Sequence, residues 1–246
     1  MLTKSGNRIV VVTGATRGIG AAIAQEFWRQ GALVIMTGTH QDEIDRLNQV
    51  DAERKQYLHV DFLKPDSLEA FRQYIASLDR LDVCVNNAGI NIIKHIDQVT
   101  AEDFDKVTTV NYRTPYLVGQ MAAQVMRRQR FGWIVNIGSI WSVITKKGRS
   151  QYTASKAGLA GMTRAMATDL ASDGILVNCV SPGFVLTDLT RQSLTPQEIQ
   201  DLAQQVPLGR FADPAEIARL VAFLGGEQNT YITGQNIMID GGFTNV

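Results

Sequence analysis

Short, solidly apolar runs alternate with longer amphipathic ones along this chain, and no other feature restricts the fold as much. Arg8–Thr13 (RIVVVT) is an apolar run followed by a glycine-rich turn and a helical pattern over Gly18–Gln30. Ala32–Thr37, Gln56–Val60, Leu81–Val85, Gly132–Ile137, Ile175–Val180 and Asn236–Ile239 read as further strands. Helical patterns cover Gln41–Val50, Pro65–Leu78, Ala101–Arg128 with a break near Pro115, Gln151–Ala171 and Pro214–Leu224. Ser181–Ala212 reads as irregular, with a short helix after Pro196. Strands that are apolar at every position must be covered on both faces. The pattern therefore predicts α/β architecture, a mainly parallel sheet of about seven strands with helices on both faces. Right-handed crossovers make it a single doubly wound domain over residues 1–246.

Charge and length remove several functions. The 246 residues suffice for a sizeable core, and 24 Lys plus Arg balance 24 Asp plus Glu. A net charge of zero argues against nucleic acid or an anionic membrane as a bulk electrostatic partner. No apolar run approaches the ~20 residues that span a bilayer. The start carries no charged-then-apolar signal segment, so a cytoplasmic location is expected. Cys84 and Cys179 sit inside apolar runs and read as small buried hydrophobes. They form no CxxC pair, and His40, His59 and His95 are isolated, so no metal site is expected.

After the first strand comes Thr13-Gly14-Ala15-Thr16-Arg17-Gly18-Ile19-Gly20, with glycines spaced G-x-x-x-G-x-G. Glycine lets a backbone turn sharply and approach a pyrophosphate, while the next helix points its N-terminus at the anion. Tyr152 and Lys156 lie four residues apart, which places them on one face of a helix. A free phenol titrates near ~10, too high for an efficient base at neutral pH. A neighbouring ammonium, or an oxidised nicotinamide, favours the phenolate and allows proton exchange with an alcohol or carbonyl oxygen. Ser139 ends the strand Trp133–Gly138, at the carboxyl edge where doubly wound sheets place ligands.

These motifs together resemble the short-chain dehydrogenase/reductase family, over nearly the whole chain and in order. Thr13–Gly20 is similar to the family's TGxxxGIG turn, and Asn86-Asn87-Ala88-Gly89 to its NNAG segment. Asp61 resembles the Asp ending strand three. Ser139, Tyr152, Lys156 and Asn111 resemble the catalytic set, and Pro182-Gly183 with Thr187 the PG…T segment. The resemblance implies a Rossmann-like fold and hydride exchange between a nicotinamide cofactor and a small-molecule carbonyl or alcohol substrate. It implies that Gly14, Thr16, Gly18, Ile19 and Gly20 hold the pyrophosphate and that Asp61 and Phe62 meet the adenine. Asn87, Ala88 and Gly89 then line the ribose side, with bracing of the strand end as the alternative for Asn86 and Asn87. Pro182, Gly183, Val185 and Thr187 take the nicotinamide end, Thr187 through the carboxamide. Ser139 holds the substrate oxygen, Tyr152 transfers the proton and Lys156 holds the nicotinamide ribose. Asn111 anchors a water relaying protons from Lys156.

The end of strand two separates NAD from NADP. An acid there would accept from the ribose 2′-hydroxyl and repel a 2′-phosphate. Gly38 stands at that place, Arg17 offers a cation and Thr39 a hydroxyl, so NADP(H) is expected over NAD(H).

The substrate should meet Asn91–His95, Ile140–Ser150 and a lid over residues 184–211. Trp141 or Ile144 offers apolar surface, while Lys146, Lys147 and Arg149 offer charge for a carboxylate, phosphate or carrier-linked thioester, or a merely solvated turn. Overall the chain resembles the 3-oxoacyl-carrier-protein reductase branch, which implies a 3-oxoacyl thioester or similar ketone as substrate. A sugar or polyol dehydrogenase and a non-catalytic NADP(H)-binding regulator are the alternatives. That branch carries a basic pair reading the acidic carrier. Arg130 matches its first member but Asp173 stands at the second, which counts against a carrier-protein partner. The resemblance further implies a homotetramer, built from the helices around 101–128 and 150–171 and the C-terminal end.

Overall fold

A computed structural model describes residues 8–51 and 53–246; the polar lead before Arg8 lies outside them. Its strands are β1 (Ile9–Val12), β2 (Leu33–Gly38), β3 (Lys55–His59), β4 (Val83–Asn86), β5 (Gly132–Ile137), β6 (Ile175–Pro182) and β7 (Asn236–Ile239). They form one seven-stranded sheet in the order β3-β2-β1-β4-β5-β6-β7, and every pairing is parallel. The helices are α1 (Gly18–Arg29), α2 (Gln41–Val50), α3 (Pro65–Ala76), α4 (Ala101–Thr108), α5 (Thr114–Gln129), α6 (Ser150–Leu170), α7 (Asp188–Ser193), α8 (Pro196–Ala203) and α9 (Pro214–Leu224).

Successive strand residues point to opposite faces, so β1 feeds two cores. Ile9 and Val11 enter a layer with Phe71, Ile75, Val118, Met126 and Leu159 from α3, α5 and α6. Val10 and Val12 enter the other with Ile23, Phe27, Ile44, Ile217 and Val221 from α1, α2 and α9. Burying each large apolar side chain contributes about 1.5–3 kcal/mol, which explains why the strands are apolar throughout. Both cysteines are buried in the sheet, and burial pushes the Cys84 thiol up to about 12. Among the described residues no helix is long and apolar enough to cross a membrane.

Two local expectations need correction. The long helix does not break at Pro115. A wide π turn over Thr109–Arg113 joins α4 to α5, and Pro115 occupies the first turn of α5. Proline has no N–H to give the carbonyl four residues back, which is that of Asn111, so it removes one rung of the α ladder where the turn widens. The stretch after Ser181 is also more regular than its sequence suggests. β6 runs on to Pro182, and a short helix, α7, precedes α8. Thr187 caps α7 by accepting from the Thr190 N–H at 3.2 Å, and Thr195 with Glu198 forms a capping box on α8.

Candidate active site

The chain reverses its direction of winding between β1 and β4, and a crevice opens where their carboxyl ends part. The glycine-rich turn fills one wall. Thr13 Oγ1 accepts from the N–H groups of Asn87 at 3.0 Å and Ala88 at 3.1 Å. Asn87 Nδ2 donates to the carbonyls of Thr13 at 3.0 Å and Gly14 at 2.7 Å. From the β2 side, Thr37 Oγ1 accepts from Gly14 N–H at 3.0 Å and the Thr37 carbonyl from Ala15 N–H at 2.9 Å. The turn is thus clamped by both neighbouring strand ends.

Glycine is required here for two reasons. Gly14 and Gly18 have φ of 62° and 59°, in the left-handed region. Gly20 is helical, but a Cβ there would strike the Gly14 carbonyl oxygen and the Asn87 amide. Arg17 precedes α1 in extended geometry and supplies no side-chain cap, so the first-turn N–H groups of α1 are left for an outside acceptor. This close backbone cradle at an uncapped helix start suits a pyrophosphate.

Gly38, Thr39 and Asp61 lie on one side of the cradle, at the ends of β2 and β3. A Cβ on Gly38 would stand 2.5 Å from Thr16 Cγ2, so the turn packs against bare backbone where an acid would otherwise project. Arg17 and Thr39 are exposed beside it. Asp61 Oδ1 accepts from Leu63 N–H at 3.0 Å, and Lys64 Nζ lies 3.8 Å from the other oxygen. The Phe62 ring is buried against Phe71, with 5.9 Å between ring centres. The Asn87 side chain is likewise committed to the turn, which is the bracing alternative, and Asn86 donates to Asn136 Oδ1 at 2.8 Å deep in the sheet.

The ends of β5 and β6 lie on the other side. Thr187 Cγ2 would be 3.6 Å from a Cβ on Gly18, so the segment after β6 touches the turn. Val185 is buried and bridges to Ala212. A Cβ on Gly183 would come within 2.8 Å of Asp240 Cα, so only glycine lets the chain after Pro182 leave so close to the end of β7.

The four catalytic candidates converge between these walls. Ser139 follows β5, its Oγ accepting from Trp141 N–H at 3.3 Å and its N–H donating to Ser181 Oγ at 3.2 Å. Ser181 in turn donates to Asn236 Oδ1 at 2.7 Å. α6 presents Tyr152 and Lys156 together, with Nζ 5.7 Å from the phenol ring centre. Lys156 is 4% exposed and donates to the Ile137 carbonyl at 2.7 Å, which ties α6 to the end of β5. Its Nζ lies 3.7 Å from where a Cβ on Gly89 would stand. Asn111, in the π turn, accepts from Ile90 N–H and donates to the Ile90 carbonyl, both at 2.8 Å, and reaches Ser155 Oγ at 3.3 Å. Its amide therefore pins the chain after β4 over Lys156. A buried ammonium beside a phenol, with a serine hydroxyl at the adjoining strand end, is equipped to exchange a proton with an oxygen held between them. Thr37, Ser181 and Asn236 belong to no motif in the sequence. Their only signal is a hydroxyl or amide at the end of a strand.

Farther out, Arg127 and Arg130 both pair with Asp173, at 2.6 and 3.3 Å. Arg130 also donates to the Ser172 carbonyl at 3.0 Å. Asp173 thus sits between the two arginines and lowers the positive charge of that surface instead of extending it.

Residues 14–244 match the family described as Enoyl-(Acyl carrier protein) reductase. The 3-oxoacyl-[acyl-carrier-protein] reductase FabG of Aquifex aeolicus is 38% identical, over 98% of this chain and 99% of that one. Its counterpart in Escherichia coli is 35% identical over 96% of each. Among solved structures, a candidate gluconate dehydrogenase from Agrobacterium tumefaciens is 30% identical with a TM-score of 0.89, covering 98% of this chain and 97% of that one. A structure of ElxO with NADP bound is 26% identical with a TM-score of 0.91, covering 98% and 100%.

Proposed function

The chain belongs to the short-chain dehydrogenase/reductase family, and from that premise we propose that it is an NADP(H)-dependent oxidoreductase reducing a 3-oxoacyl compound or similar ketone to the secondary alcohol. The convergence of Ser139, Tyr152, Lys156 and Asn111 beside the glycine-rich cradle carries this reading. Reduced nicotinamide, when bound, supplies the hydride. Ser139 Oγ donates to the substrate oxygen and orients it. Tyr152 gives its phenolic proton to that oxygen as it becomes an alkoxide. The Lys156 ammonium favours the phenolate that is left, and a proton returned through the Lys156–Asn111 region restores the phenol. The ketone thus gains a hydride at carbon and a proton at oxygen, two electrons and two protons in all, to become the alcohol.

The cradle around Gly14, Gly18 and Gly20 takes the pyrophosphate, Asp61 faces the adenine, and Ala88 and Gly89 line the ribose through their backbone. Thr187 takes the carboxamide. The preference for NADP(H) is supported by Gly38, which places no carboxylate at the end of β2, and by exposed Arg17 and Thr39 beside it. NADP in the ElxO structure and the reductase names of the relatives agree with it. Arg17→Ala is expected to weaken NADPH by about 10- to 100-fold, the loss of a charge-assisted phosphate pair, and to leave NADH nearly unchanged. Titration with both cofactors checks this, and equal losses would remove the NADP argument.

A carrier-protein partner is disfavoured by Asp173, an acid that pairs with Arg127 and Arg130 where a second basic residue would read an acidic carrier. One domain holds both cofactor and substrate, with residues 184–211 as a lid hinged where Phe184 stacks on Phe211 at 5.2 Å. A cytoplasmic homotetramer is the expected assembly. Its support is the apolar surface that α4, the π turn and α5 expose through Phe104, Tyr112 and Tyr116. Light scattering should return a mass four times that of the chain, and a monomer would count against that assembly.

The decisive assay follows loss of reduced nicotinamide absorbance with 3-oxoacyl substrates, beside sugar and polyol oxidation. Tight NADPH binding without turnover of any carbonyl would favour a non-catalytic regulator.

A further inference from the structure

Basic side chains approach the substrate side from two loops, and all but one are accounted for. Lys94 is paired with Asp103 at 2.5 Å and His95 with Asp97. Lys146 and Lys147 are exposed to solvent.

Arg149 differs. It is half-buried and stands as the N-cap of α6, its carbonyl accepting from Thr153 N–H at 2.7 Å. That hydrogen bond sets it one helical turn before Tyr152. Its guanidinium lies 6.0 Å from the ring centre of Trp141, two residues past Ser139. Burial lowers the guanidinium from its ordinary value, and the Tyr152 phenol, three residues on along the helix, acts in the opposite sense. Among the described residues no carboxylate lies within ion-pair distance of Arg149 and no acceptor takes a hydrogen bond from its side chain. A half-buried cation without a counter-charge is costly, whereas one that receives an anion with its face already set by an aromatic ring is prepared for binding. Lys94 shows the other outcome, a cation neutralised by its own fold.

We propose that Arg149 binds a carboxylate of the substrate, a few bonds from the carbon that reacts beside Tyr152, so that the enzyme acts on a short free oxo acid instead of its thioester. This rests on the reductase reading and names its substrate class. A guanidinium holds a carboxylate through two parallel hydrogen bonds at about 2.7–2.9 Å. In a 3-oxo acid the carboxyl carbon is two bonds from the ketone carbon, so a group that holds the carboxylate must lie close to the one that protonates the ketone oxygen. In the thioester that carbon is a neutral carbonyl and forms no ion pair. The phosphate of a carrier arm lies many bonds beyond it.

Acetoacetate and methyl acetoacetate share a carbon skeleton and differ in this charge. With NADPH, kcat/KM for the acid should exceed that for the ester by about a hundredfold, mostly through KM. Arg149→Met should bring the ratio close to one, and Arg149→Lys should restore part of it. A readout without turnover uses Trp141. Acetoacetate should change tryptophan fluorescence saturably, and Arg149→Met should abolish the change. An ester used as well as the acid, or a ratio unmoved in Arg149→Met, overturns the proposal. If neither these compounds nor any other ketone is reduced, the reductase reading fails. Saturable acetoacetate binding that depends on Arg149 would then still uphold the carboxylate site, and its absence would overturn it.

Discussion

Replacing Tyr152 by Phe is expected to lower kcat for ketone reduction by about a thousandfold while NADPH binding stays nearly unchanged. The substitution removes one oxygen and leaves the ring, so its cost in packing is small. What disappears is the proton donor at the substrate oxygen. Ser139 still donates a hydrogen bond to that oxygen, and Lys156 remains anchored to the Ile137 carbonyl at 2.7 Å. Neither group is expected to take over, because Lys156 is buried with its ammonium committed to that carbonyl and a serine hydroxyl is a far weaker acid than a phenol. Stopped-flow or steady-state loss of NADPH absorbance, paired with NADPH fluorescence titration, separates the two effects. Activity like that of the unmodified enzyme would sink the mechanism.

Gly20→Ala should weaken NADPH by about 10- to 100-fold and lower thermal stability. The added methyl meets the Gly14 carbonyl and the Asn87 amide, both held in place. Gly14 is fixed by its hydrogen bond to Thr37 Oγ1, and Asn87 by its own to the turn carbonyls. Relief requires α1 to shift away from the turn, which misdirects its first N–H groups. A destabilisation of 1–3 kcal/mol corresponds to a drop in Tm of roughly 2–4 °C per kcal/mol for a chain of this size. Calorimetry and a cofactor titration measure the two losses. A variant that binds NADPH normally would show that the turn is not the pyrophosphate cradle.

Much of the site was readable because its requirements are local. A turn that needs left-handed backbone at Gly14 and Gly18 shows itself as glycine spacing, and a phenol and ammonium sharing a helix face show themselves as a four-residue interval. The π turn at Asn111 was not readable. Pro115 signals an interrupted ladder, but whether the chain kinks or widens depends on what packs around it. The ring of Phe62 could not be placed either, since a residue after a strand can turn toward a ligand or into the layer below. Phe71, on α3, decides it.

The sequence by itself determined the doubly wound sheet, the glycine-rich turn after the first strand and the helix face that Tyr152 and Lys156 share. Apolar periodicity, glycine dihedrals and helical spacing are properties of neighbours along the chain. Only the tertiary structure decided which polar groups find partners. Ser139 is held by Ser181, and Ser181 by Asn236, across three strands. Lys94 and Arg130 are paired with Asp103 and Asp173, while Arg149 makes no ion pair among the described residues and lies beside Trp141. Pairing depends on distance through space, and residues far apart in the chain acquire those distances only when the sheet closes around them.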